Sequence, residues 1–122
     1  MVVKGYRVVR VWVEGDTVRC DPDPVQCYWV TGPDCIRWTF KDLPRTVASV
    51  VIEWKTRGKG KPMFRGHGHA LTSVGSHLAD IITFGNIEEE GRFQYAVHCF
   101  DKDGNLVAFA DPDADNSPTP PN

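Results

Sequence analysis

The sequence predicts an all-β domain, a single Greek-key β-sandwich of about seven or eight strands. Three observations predict it. Apolar residues recur with a period of two along most of the chain. Short β-branched and aromatic runs are separated by Gly- and Pro-containing corners. No stretch of about 10–12 residues carries a 3.6 period that would place an apolar stripe on a helix. The 122 residues, 41% hydrophobic and 25% charged, suit one domain with one core.

The elements follow in order. Tyr6–Val13 is rich in valine and aromatics and reads as a strand, turned at Glu14-Gly15-Asp16 into a short return over Thr17–Cys20. Asp21-Pro22-Asp23-Pro24 is a stiff corner, because each proline removes a donor and keeps its predecessor out of the α region. Val25–Val30 is the next strand, closed by Thr31-Gly32-Pro33-Asp34. Cys35–Phe40 alternates, with Ile36, Trp38 and Phe40 on one face. Val47–Trp54 is the most apolar run, and its lack of clean alternation predicts burial on both sides. Residues 55–79 are the least regular part, and 70–79 could form a helical turn or two, weakened by Gly75. Asp80–Phe84, Gly91–Asp101 and Leu106–Ala110 complete eight strands, the last two joined by an Asp103-Gly104 hairpin turn. One shared core is expected from Ile36, Trp38, Val50, Ile52, Phe93, Tyr95 and Val97. The domain spans 1–111, and the Pro/Asp-rich residues 112–122 are expected to be a flexible tail.

Pro22, Val25, Cys27, Gly32, Ile36 and Trp38, with Gly91-x-Phe93-x-Tyr95-x-Val97, resemble the strand pattern of cupredoxin-like domains; immunoglobulin-like domains share it. The resemblance runs over most of 6–110 and implies a sandwich. It does not carry the copper site across. Pro44 is followed by Arg45 where a histidine ligand would stand, and Val97 occupies the position of the thiolate ligand. The order Cys27, Trp38, Cys99 matches the immunoglobulin marker, but the Gly-x-aromatic pattern sets Tyr95 at the disulfide position, so no such disulfide is expected.

Charge is uneven. Residues 1–61 carry 11 basic and 7 acidic side chains and residues 62–122 carry 3 and 9, giving +4 and −6 and the net −2 of the chain. That near-balance argues against a polycation coating nucleic acid. No apolar run reaches the ~20 residues of a membrane span. Lys4, Arg7 and Arg10 interrupt the N-terminal apolar residues, so no signal peptide is visible and a cytoplasmic location is expected, with export left open. Four cysteines lack any C-x-x-C spacing and are expected as free thiols, or one disulfide if the protein is exported.

Two clusters carry candidate chemistry. Lys55, Arg57, Lys59, Lys61 and Arg65, interleaved with glycines and flanked by Trp54 and Phe64, form a basic segment. It could grip phosphate, RNA or an acidic partner, including the acidic half of another copy, or be a solvated hairpin tip; nucleic acid is the least expected of these. His67 and His69, two apart, could share a metal ion if they lie on a strand, or be part of a Gly-His loop. No nucleophile motif is present. The expected function is a non-catalytic binding or assembly module, without cofactor, acting on a protein partner or on itself through an edge strand or the basic segment. The alternatives are a metal-binding protein using His67 and His69, or a small enzyme with its site in 55–79.

Overall fold

The computed structural model describes residues 2–121 except 59, 67 and 76, with residues 56–58 as backbone. It is all-β. Its strands are β1 (Tyr6–Glu14), β2 (Thr17–Asp21), β3 (Val25–Tyr28), β4 (Cys35–Thr39), β5 (Ser49–Gly58), β6 (Ala70–Val74), β7 (Ile81–Phe84), β8 (Gly91–Phe100), β9 (Leu106–Ala110) and β10 (Asp113–Ser117). Each of the eight expected segments is a strand; β6 and β10 are additional.

Hydrogen bonding arranges them in two ladders. One runs β7-β4-β1-β2, with β1 parallel to β4 and the other pairs antiparallel. The other runs β6-β5-β8-β10-β3, antiparallel except for β10 with β3. Strand β9 lies along the C-terminal half of β8 and meets β2 at the single pair Thr17↔Phe109, which joins the whole into one mixed sheet.

One core cluster draws side chains from both ladders. Ile36, Trp38, Val50, Ile52, Phe93, Tyr95 and Val97 are all fully buried in one cluster, as their alternation predicts. At its centre the Tyr95 ring lies 5.5 Å from that of Trp38 and 5.4 Å from that of Trp54. The Trp38 indole N–H donates to the Tyr95 hydroxyl at 3.3 Å. Trp38 sits on β4 and Tyr95 on β8, strands that share no backbone bonds, so this contact spans the two ladders.

Three expectations change. Val47–Trp54 is not buried on both sides: Val50, Ile52 and Trp54 point inward, while Val51 is half-buried and Glu53 exposed. Residues 70–74 are strand, not helical turn. Ser73 alternates inward against exposed Ala70, Thr72 and Val74, and the free edge of β5 supplies partners that an isolated helical turn would lack.

The expected flexible tail over 112–122 gives way at β10. Ala114 and Asn116 alternate inward, and their strand fills the gap between β8 and β3. Asn116 is 1% exposed and accepts from the Asn86 amide at 2.6 Å. Its own amide donates to the carbonyls of Ile87 at 2.7 Å and Glu89 at 3.0 Å. Arg92 forks onto Asp115 at 2.8 and 2.9 Å. A buried polar lock of this kind holds a strand whose hydrophobicity is too low to announce it.

Gly32 is required by sterics. Its φ is +77°, and a Cβ there would stand 2.2 Å from the Lys4 carbonyl oxygen.

Asn116→Ala should therefore cost about 2–3 kcal/mol, because it leaves a buried amide and two carbonyls without partners. Urea denaturation should show a lowered midpoint with unchanged slope. A chain ending at Asp111 should lose its cooperative transition; one that keeps the wild-type midpoint would show that 112–122 is indeed a dispensable tail.

Candidate functional site

The basic segment begins on β5 and is tied down by the acidic half of the chain. Lys55 forms an ion pair with Asp111, in the link between β9 and β10. Lys61 reaches Glu89, ahead of β8, at 2.8 Å. Arg65 is exposed. The side chain of Arg57, and Lys59 and His67 entirely, lie outside the described residues. The structure thus sends Lys55 and Lys61 to different acids rather than to one outward-facing grip. The uneven charge of the two halves is partly closed within the chain, since Arg37 also crosses to Asp80 at 2.6 Å.

His69 is exposed, and its carbonyl accepts the Trp54 N–H at 2.7 Å. Its defined role is thus to pin the strand edge beside the core tryptophan. Among the described residues no three His, Cys, Asp or Glu side chains converge as metal ligands. No helix among them is long and apolar enough to cross a membrane.

All four cysteines are free, with Cys27, Cys35 and Cys99 buried and Cys20 half-buried. Burial pushes the thiols of Cys20 and Cys27 up to about 12, helped at Cys20 by Asp23 and at Cys27 by the neighbouring Cys35. Burial likewise lifts Cys35 and Cys99 to about 11. Cys20 lines an open groove of about 450 Å³ with Asp16, Arg19, Asp23, Phe109 and Asp111, where β2 and β9 part beyond their single pair. A thiol held protonated is a poor nucleophile, so the groove lacks an activated sulfur.

Sequence reasoning missed a feature with open bonding capacity, the outer edge of β6. Among the described strands β6 pairs with β5 alone. Ala70-Leu71-Thr72-Ser73-Val74 contains no charge and no proline, the devices that usually protect an edge. Val74 is 71% exposed. Strand β7 likewise pairs with one strand alone, and at β7 and β3 the chain just beyond the strand makes further backbone contacts. Just beyond β7, Phe64 bridges Asn86 and the Ile87 N–H donates to the Met63 carbonyl at 2.8 Å. At β3, the following loop folds back, with the Tyr28 N–H on the Pro33 carbonyl at 2.9 Å. The available signal was the alternation Thr72, Val74 against Leu71, Ser73, too short to stand out from a glycine-rich surrounding.

No protein-family model, curated protein or solved structure matches this chain.

The thiols yield a pH prediction. Unfolded cysteines ionise near pH 9, whereas the native ones wait until about 11–12. Between those values the native state holds more protons than the unfolded state, so stability is intact below pH 9 and falls as pH rises above it. Thiol titration with Ellman's reagent at pH 8 should be slow in the native protein and complete at once in denaturant. Rapid native reaction of one cysteine would identify an activated thiol and overturn this reading.

Proposed function

We propose that this chain is a non-catalytic binding or assembly module on a Greek-key β-sandwich of the cupredoxin-like or immunoglobulin-like kind, and that a second copy of itself occupies the β6 edge. The sandwich is supported by the two ladders and the aromatic contact between them. The observation that carries the binding role is the uncharged, proline-free β6 edge. An unpaired edge presents a row of N–H and C=O groups that an added strand satisfies.

The sequence of β6 suits pairing with itself. Two copies related by a twofold axis meet antiparallel. Centred on Thr72, the pairing sets Ala70 against Val74, Leu71 against Ser73 and Thr72 against its own mate. No like charges oppose each other, and small, β-branched and hydroxyl side chains fall in register. Protonated, buried thiols support a non-catalytic reading of the rest.

Sedimentation velocity tests this directly. Wild type should dimerise, and Thr72→Lys should weaken the dimer by at least about tenfold, because the twofold places one ammonium against the other. Thr72 is exposed, so the variant should keep its unfolding midpoint. A wild-type monomer at every accessible concentration, or a Thr72→Lys dimer as tight as wild type, contradicts the proposal.

A further inference from the structure

A second concavity lies beyond the C-terminal end of β6, between the 40–47 connection and the segment after Gly75. It is half-open, with a volume of about 770 Å³, inside the range of small-molecule sites. Its apolar surface comes from Phe40, Val47 and Leu78, the first two almost fully buried at 3% and 5% exposure. Around that surface stand Lys41, Arg45 and His77.

The charge arrangement there is unlike that of six other cations in the fold, although Lys4, Arg7, Arg65 and Lys102 are also without a carboxylate partner among the described residues. Arg10, Arg19, Arg37, Lys55, Lys61 and Arg92 each hold a carboxylate of their own. Among the described residues Lys41, Arg45 and His77 hold none. The two nearest acids in sequence are already taken, Asp42 by Arg10 at 2.7 Å and Asp80 by Arg37 at 2.6 Å. Among the described residues no acidic side chain lines the cavity. Two uncompensated cations and an imidazole thus border an apolar hollow that has no anion of its own.

We propose that this hollow binds a small monocarboxylate with an apolar body, its carboxylate between Lys41 and Arg45 and its body against Phe40, Val47 and Leu78. The guanidinium of Arg45 suits a carboxylate through paired N–H donors. The apolar surface rejects a bare inorganic anion, which would gain nothing from leaving water to lie against it. The positive border rejects amines and metal ions.

The test is a titration of the ¹⁵N-labelled full chain with octanoate, followed by amide shifts. Saturable shifts confined to residues 40–47 and 77–78 are expected, with none from octylammonium and only weak, unsaturated ones from inorganic phosphate. Arg45→Glu and Lys41→Glu should each weaken octanoate by about fivefold or more. Lys102→Glu, which makes the same change of net charge in the β8–β9 turn, should leave the affinity unchanged. Octylammonium or phosphate binding as tightly as octanoate, shifts centred elsewhere, or equal affinity in wild type and both cavity variants would overturn the proposal.

Discussion

The fold depends on one buried meeting of side chains, Tyr95 between Trp38 and Trp54. Tyr95 stands on β8, the strand that pairs with β5, β9 and β10, and Trp38 stands on β4 in the opposite ladder. Each ring pair is worth about 0.5–1.5 kcal/mol beyond the area it buries. The hydrogen bond from the Trp38 indole fixes the Tyr95 hydroxyl, and burial together with the nearby Cys20 keeps that hydroxyl protonated well beyond its usual range. The contact is directional and joins two strands that share no backbone bonds. Strand β6 falls at one outer edge, and the 40–47 connection closes over the margin of the core.

Electrostatics reinforces this layout rather than creating a charged face. Two cations of the basic segment are tied to acids in the second half of the chain, Lys55 to Asp111 and Lys61 to Glu89. Such exposed pairs contribute little each, about 0–1 kcal/mol. Their effect is to use up charge that sequence alone would assign to a partner. What remains outward includes an uncharged strand edge and uncompensated cations around an apolar hollow.

Much of this was legible in the sequence. Period-two alternation located most of the eight strands and two of the three central rings, Trp38 and Tyr95, because strands buried on one face must alternate; Trp54 lay in an apolar run read as buried on both sides. The rest was hidden for physical reasons. In β10, Ala114 and Asn116 face inward, so a strand secured by amide hydrogen bonds looks like a polar tail. Strand β6 is too short and too near glycine for its pattern to compete. The basic segment looked like a binding loop because Asp111 and Glu89 lie far away in sequence, and no spacing rule brings them together. The cavity cations were equally invisible: Lys41 and Arg45 stand out only once their neighbours Asp42 and Asp80 are seen holding other arginines.

The central claim is that this chain works by pairing an unprotected β6 edge with a second copy. Hydrogen–deuterium exchange at high and low protein concentration tests it most directly, since it reports the edge amides themselves. The account predicts that raising the concentration adds protection within Ala70–Val74 and leaves β7 and the 55–65 segment unchanged. Added protection at β7 or in the basic segment, with none in β6, would contradict it.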